Sequence, residues 1–136
     1  MKQEKSCGAI IVTKGIEPSK FLLIKHHNGG HWAFPKGHVE GTETEEETAL
    51  REIMEETHLT VELDTHFRHV VHYSPYEGTL KDVIYFIAYD AEQAIQKQEE
   101  EVLDSTWLSF EEALALITYE NDRTILEAAM NYLAKK

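Results

Sequence analysis

Residues 37–59 read GHVEGTETEEETALREIMEETHL, and they contain the clearest helix signal in the chain. Thr44 is followed three residues later by Glu47, which is the spacing of a capping box at a helix N-terminus. The early glutamates suit the positive end of the helix dipole. The residues that then recur on one side, at about 100° per residue, are Ala49, Leu50, Ile53 and Thr57. The pattern predicts an amphipathic helix over residues 44–58.

Carboxylates crowd this helix beside its apolar stripe, with eight glutamates between residues 40 and 56. If Glu52 is placed at 0° on a helical wheel, Glu56 lies at about 40° and Glu55 at about −60°. Like charges at these spacings cost about 0.2–0.5 kcal/mol per pair. Mg²⁺ or Mn²⁺ would relieve that repulsion, because hard cations bind carboxylate oxygens and keep waters that substrate phosphates can replace. Taken alone, REIMEE at residues 51–56 fits a metal cluster and a solvated acidic face equally well.

The segment before the helix favours the metal interpretation. Residues 27–43 read HNGGHWAFPKGHVEGTE and contain four glycines and one proline. Long irregular connections of this kind are usually functional. We expect Trp32 and Phe34 to anchor the segment to the core. Lys36 and Gly37 can then bring a lysine and a backbone carbonyl close to the acidic helix.

The rest of the sequence shows mainly strand signals up to residue 90. Residues 7–13 and 20–27 are apolar and β-branched on either side of a turn, and we expect them to pair as a hairpin. Residues 65–74 and 80–90 also predict strands. The near-continuous apolar run from 83 to 89 indicates that the later strand is central in its sheet.

Helix signals return near the C-terminus. Residues 91–101 are polar and predict an exposed loop or a short helical turn, and 104–110 predict a short strand or loop. Ser109 and Glu112 form a second capping box at the start of a helix that extends to residue 117. Residues 122–136 predict an amphipathic helix with basic residues at its end. This order of elements predicts an α+β (mixed α/β) domain with helices on both sheet faces.

Composition narrows the function classes. A length of 136 residues favours one domain, residues 1–136. The formal net charge of −12 argues against duplex nucleic acid or an anionic membrane as a partner. No apolar run reaches the roughly 18 residues of a membrane span, and the N-terminal residues lack the apolar core of a signal peptide. The lone Cys7 suits a reducing compartment, so we expect a cytoplasmic protein. We also expect a monomer or a homodimer.

The helix and the loop before it resemble the signature of Nudix hydrolases. That signature is Gly, five residues, Glu, seven residues, Arg-Glu-apolar-any-Glu-Glu-any-Gly-apolar. The matching residues are Gly37, Glu43, Arg51, Glu52, Ile53, Glu55, Glu56 and Leu59. His58 stands where the signature has a glycine that ends the helix with a positive φ. Histidine tolerates that conformation better than most residues.

Further stretches are similar to the asymmetrically cleaving dinucleoside tetraphosphate hydrolases of this family. They are WAFPKGHVE at 32–40, VIYFIAYD at 83–90 and WLSFEEA at 107–113. The resemblance implies an α/β/α sandwich with a mixed central sheet. It also implies a Mg²⁺- or Mn²⁺-dependent enzyme that cleaves a phosphoanhydride bond by water attack on phosphorus.

The resemblance also implies roles for individual residues. The metal ligands would be Glu55 and Glu56, with Glu52 as a ligand or general base. The carbonyl of Lys36 would add a backbone ligand, and Glu43 with Arg51 would brace the signature. Glu101, which we prefer to the neighbouring residues 99 and 100, would be a further metal ligand or base.

Substrate contacts follow from the same resemblance. His31, Lys36 and Lys81 would hold phosphates. Tyr76 and Tyr119 would sandwich the nucleobase, with Tyr73 as a substitute for either tyrosine.

The expected reaction is the cleavage of diadenosine tetraphosphate to ATP and AMP. Other nucleoside diphosphate derivatives, RNA 5′ ends and diphosphoinositol phosphates remain alternative substrates. A catalytically silent nucleotide-binding domain is the rival class. It predicts the loss of a signature glutamate, and none is lost in this sequence. An acidic protein-interaction module would not require Lys36 or Arg51.

Overall fold

The computed structural model of the chain describes residues 2–26, 30–91 and 105–136. Within these residues the strands are β1 (Lys2–Val12), β2 (Phe21–Lys25), β3 (Trp32–Ala33), β4 (Lys36–His38), β5 (Val61–Tyr73), β6 (Thr79–Asp90) and β7 (Ser105–Leu108). The helices are α1 (Glu45–Thr57), α2 (Phe110–Leu116) and α3 (Glu120–Ala134). The strands form one mixed sheet of order β3-β2-β1-β6-β5, in which β4 also pairs with β1 and β7 with β2.

Side-chain alternation along the strands gives the sheet two buried faces. On one face Cys7, Ala9 and Ile11 pack with Ala49 and Ile53 of α1. On the opposite face lie Ile10, Val83 and Tyr85 of the central strands, packed against Ala113, Ile125 and Leu126 of α2 and α3. The two faces confirm the predicted α+β class with helices on both sides of the sheet.

Several predicted elements are confirmed. β1 and β2 form the expected antiparallel pair, in which Ile11 lies opposite Leu22. β6 is central, because it lies between β1, which is parallel to it, and β5, which is antiparallel. Thr44 and Ser109 form the two expected capping boxes at α1 and α2. Phe34 is fully buried and Trp32 packs on the same core, so both anchor their segment as predicted.

Other boundaries were predicted wrongly. β1 begins at Lys2 instead of residue 7, because its polar start is paired along β6 from Thr79 onward. β5 begins at Val61 instead of residue 65, since its pairing with β6 continues past an irregularity between Asp64 and His69. The segment predicted as irregular contains β3 and β4, which pair with β2 and β1.

The C-terminal helix begins at Glu120, two residues before its predicted start. The prediction of a short strand or loop at 104–110 is met by β7. The loop predicted over 91–101 falls almost entirely on residues outside those that the structure describes.

Candidate active site

The loop that contains β4 lies directly against α1. The backbone N–H of Lys36 donates a hydrogen bond to Glu56 Oε1 at 3.1 Å. Gly37 faces Glu52 so closely that a Cβ atom at this position would stand 2.0 Å from the Glu52 carboxyl carbon. The glycine of the signature is therefore needed for space, because any side chain would occupy the position of the carboxylate. The structure brings Lys36, Glu52 and Glu56 together, as the sequence predicted.

Arg51 connects the carboxylates of this site. It donates two hydrogen bonds to the Glu43 carboxylate, from Nε at 2.6 Å and from Nη2 at 3.1 Å. Its Nη1 reaches Glu52 Oε2 at 2.7 Å, and its Nη2 donates to the carbonyl oxygen of His38 at 2.9 Å. The Arg51 guanidinium, helped by the Glu40 backbone N–H, lowers the pKa of Glu43 to about 2. Glu43 and Arg51 thus form the predicted brace, which ties α1 to the preceding loop.

Glu56 forms an acidic cluster with Glu52 and Glu55, and the pKa of its carboxyl group is strongly shifted. Burial, followed by the negative charge of Glu52, raises the pKa of Glu56 to about 7. The hydrogen bond from Lys36 opposes this shift without cancelling it. Carboxyl groups with pKa values shifted in this way cluster at functional sites, where the pKa of a group is matched to its chemical task.

Glu55 differs from its neighbours. Its side chain is 59% exposed, and its Oε1 accepts a hydrogen bond from Arg51 at 3.2 Å. Among the residues that the structure describes, no three His, Cys, Asp or Glu side chains are grouped so that they could hold a metal ion. Glu52 and Glu56 still suit a hard divalent cation, because a shared positive charge would stabilise two neighbouring carboxylates.

A cavity of about 600 Å³ opens on the sheet face that carries α3, opposite the face that carries α1. Its size is within the range of small-molecule sites. Lys36 belongs to both places, because its backbone contacts Glu56 while the residue also lines the cavity. The predicted substrate residues His31 and Tyr119 line the cavity too, with their rings 5.2 Å apart.

Of the remaining predicted substrate residues, one lines the cavity and the others do not. Tyr73, the substitute, lines it, whereas Tyr76 is not among its described lining residues and donates a hydrogen bond from its hydroxyl to Glu4. Lys81 is not among the lining residues either. Burial, together with the positive charge of Lys36, lowers the pKa of Lys81, so the two lysines are near enough to repel each other. Glu101 lies outside the described residues, as do residues 99 and 100.

Two buried polar residues that line the cavity were not predicted from the sequence. Asp122 and Tyr85 line it with exposures of 7% and 2%. The helical spacing of Asp122 with Ile125, Leu126 and Ala129 was a usable signal, since a carboxyl group in a buried stripe needs a reason. Tyr85 offered no such signal within an apolar strand.

Most of the chain matches a known protein family. A model of the NUDIX domain matches residues 4–129. The chain belongs to the Nudix family. Two relatives from Sus scrofa and Rattus norvegicus are named bis(5′-nucleosyl)-tetraphosphatase [asymmetrical]. Each is 32% identical to this Nudix chain over 143 residues, and the match covers 95% of this chain and 95% of the relative.

The Nudix fold is also found in a solved structure. The crystal structure of the C. elegans Ap4A hydrolase matches this chain with a TM-score of 0.83 and 26% identity, covering 98% of this chain and 99% of that one. The chain is thus a Nudix hydrolase, a pyrophosphohydrolase of a family that generally uses divalent metal ions. No helix in the described part of the chain has the length and apolar character needed to cross a membrane.

Proposed function

We propose that the chain hydrolyses dinucleoside polyphosphates and cleaves diadenosine tetraphosphate to ATP and AMP with Mg²⁺ or Mn²⁺. The main support is the position of Lys36, which joins the acidic pair Glu52 and Glu56 to a nucleotide-sized cavity. A phosphate chain can therefore extend from the acidic cluster past Lys36 while its nucleoside enters the cavity. The names of the relatives agree with this substrate class.

Some residues of the chain would hold the metal, and others position the metal ligands. Glu52, Glu55, Glu56 and the backbone of Lys36 would hold the metal, with Glu101 as a further ligand. When bound, the metal withdraws charge from the phosphates and lowers the pKa of the attacking water. Arg51 and Glu43 keep Glu52 in place, through the contacts that Arg51 makes with both carboxylates.

The reaction needs a general base and side chains that bind the phosphates and stabilise negative charge. Glu52 or Glu101 accepts a proton as the water oxygen attacks phosphorus. The new P–O bond forms, and the anhydride P–O bond breaks to release ATP from AMP. Lys36, Lys81 and His31 bind the remaining phosphates, so their positive charge or N–H groups stabilise the charge that develops on the leaving group.

Replacement of one glutamate tests the metal assignment. We expect Glu56→Gln to lower Mg²⁺-dependent turnover by about 100-fold or more, because the metal contributes several kcal/mol to the transition state. Circular dichroism should show an intact fold. The matched control is Glu46→Gln, which alters an exposed glutamate on the same helix and should keep wild-type turnover. Wild-type turnover by Glu56→Gln would contradict the assignment.

Product analysis tests the bond that is cleaved. Incubation with diadenosine tetraphosphate, followed by ion-exchange chromatography, should give equal amounts of ATP and AMP. Release of two ADP molecules would overturn asymmetric cleavage. The same assay with triphosphorylated RNA and nucleotide sugars would reveal a different preferred substrate.

A further inference from the structure

Asp122 brings a carboxyl group into the cavity from the first turn of α3. It is only 7% exposed and lines the cavity together with Tyr85. Burial raises the pKa of the Asp122 carboxyl group, and the neighbouring Lys36 charge and Tyr85 hydroxyl oppose this shift. A carboxylate has about four acceptor positions, so the single Tyr85 hydroxyl leaves capacity for others. A buried polar group with unused acceptors indicates a donor that arrives with a ligand.

The charges around the cavity fix the direction in which a nucleotide can enter. Lys36 interacts electrostatically with Lys81 and also with Asp122. The cavity is therefore cationic at Lys36, whose backbone contacts Glu56, and anionic at Asp122. Phosphates are attracted to the lysines and repelled by Asp122. The part of a nucleotide that reaches Asp122 must be uncharged and must offer hydrogen-bond donors.

Aromatic rings show which part of the nucleotide this is. Tyr119 and Tyr73 line the same cavity, and the Tyr119 ring lies beside His31. Flat aromatic rings contact a flat base more effectively than a ribose. An adenine held by these rings presents its exocyclic amino group as a donor, as carboxylates accept from base amino groups elsewhere.

We propose that Asp122, oriented by Tyr85, accepts a hydrogen bond from the exocyclic amino group of the purine in this cavity. Asp122 is then a specificity-determining residue that selects amino-substituted purines. This inference rests on the proposed function, since it takes a nucleotide as the occupant of the cavity.

Nucleotide binding without catalysis tests the proposal. Isothermal titration calorimetry in EDTA would compare ATP with purine riboside 5′-triphosphate, which lacks the amino group and adds no donor or bulk. We expect wild-type protein to bind ATP about tenfold or more tightly than the analogue, as a hydrogen bond to a charged acceptor provides. Asp122→Ala should remove this preference, and Asp122→Asn should restore part of it through its carbonyl oxygen. Glu127→Gln, an exposed change on the same helix, should keep the full preference.

Three results would overturn the proposal. They are no binding of ATP, equal binding of both nucleotides by wild-type protein, and an equal loss of affinity for both in Asp122→Ala. The last result would assign Asp122 to the ribose or to a structural role. A failure of the proposed function shows up separately as absent turnover of diadenosine tetraphosphate with Mg²⁺, which the calorimetry does not require.

Discussion

Gly37 allows the acidic helix to approach the loop before it. A Cβ atom here would lie 2.0 Å from the carboxyl carbon of Glu52 and 2.2 Å from its Oε2. Gly37→Ala must therefore displace the Glu52 carboxylate, while the flexible side chain limits the cost in folding free energy. We expect kcat to fall by about 100-fold, as small misplacements of catalytic groups do. Steady-state kinetics with diadenosine tetraphosphate and thermal unfolding would measure the two effects.

Gly15→Ala is the comparison for this change. Gly15 has a φ of 74°, and no atom lies within 4 Å of the position that a methyl group would take, so alanine there is strained without a clash. It should lower the free energy of unfolding by about 1 kcal/mol and leave kcat unchanged. Full activity in Gly37→Ala would show that Glu52 does not need its observed position.

His58 ends α1 in a left-handed conformation, with φ of 60° and ψ of 22°. Its N–H donates to the carbonyl oxygen of Met54 at 2.9 Å, so the helix is capped in the normal way despite the missing glycine. His58→Gly should raise the free energy of unfolding by roughly 0.5–1 kcal/mol, because glycine adopts this conformation without a Cβ penalty. Urea denaturation would measure the gain. An unchanged or lower stability would show that the histidine side chain contributes more than its backbone strain costs.

At the scale of elements, β1 and the loop before β4 meet at Gly8. A Cβ atom on Gly8 would lie 2.0 Å from the Pro35 carbonyl oxygen and 2.8 Å from Lys36 Cα. Gly8→Ala must therefore move backbone, and with it the Lys36 that contacts Glu56. We expect a loss of about 1–3 kcal/mol in the free energy of unfolding, as overpacking usually causes, together with reduced turnover. Urea denaturation and the product assay would test both.

Ser6→Ala is the matched control on the same strand and the same face. Ser6 is buried, and its Oγ has no hydrogen-bond partner among the residues that the structure describes. Removal of an unsatisfied hydroxyl should leave stability unchanged or raise it. A Gly8→Ala protein as stable as Ser6→Ala would contradict the close approach at β4.

The elements also show what local sequence can predict. α1 was predicted closely because its cap, its apolar stripe and its length are all local signals. The polar start of β1 and the short strand β4 were missed because their partners are distant in sequence, and backbone pairing does not require apolar side chains. The acidic cluster could be predicted because Glu52 and Glu56 are one helical turn apart.

The cavity shows the limit of such prediction. Asp122 and Tyr85 come from α3 and β6, so only the folded chain reveals that they meet. The placement of Tyr76 against Glu4, and of Tyr73 in the cavity, depends on the turn before β6 and on its pairing with β1. Motif spacing alone leaves the choice between these tyrosines open.

At the scale of the whole molecule, the sheet separates the acidic helix from the cavity, and Lys36 lies at the point where they meet. α1 packs on one face and α3 on the other. Relative movement of these helices would therefore change the distance between the acidic cluster and the Asp122 side of the cavity. If the proposed site is correct, we expect the position of α3 on the sheet to affect turnover as well as stability.

Asp64 joins the far end of α3 to the sheet. Its Oδ2 accepts hydrogen bonds from Tyr132 and Lys136 at 3.0 Å each, and from Tyr89 of β6 at 3.1 Å. Burial alone would raise the pKa of Asp64, but these hydrogen bonds outweigh it and lower the pKa to about 2. Since an unfolded aspartate has a pKa of about 3.9, the unfolded chain binds the proton more tightly. The stabilisation is therefore complete above about pH 5 and is lost as the pH falls toward 2.

Asp64→Asn should expose this contribution. We expect it to lower the free energy of unfolding at pH 7 by about 1–3 kcal/mol, because Lys136 and both tyrosines lose a charged acceptor. The difference from wild type should shrink as the pH falls from 5 toward 2, because Asp64 is protonated first in the unfolded chain and then in the folded protein. Urea denaturation at pH 7, 4 and 3 would measure it, with the exposed Glu111→Gln as a control that leaves the pH profile unchanged. A constant difference between wild type and Asp64→Asn at all three pH values would show that packing, and not the charge of Asp64, holds α3 on the sheet.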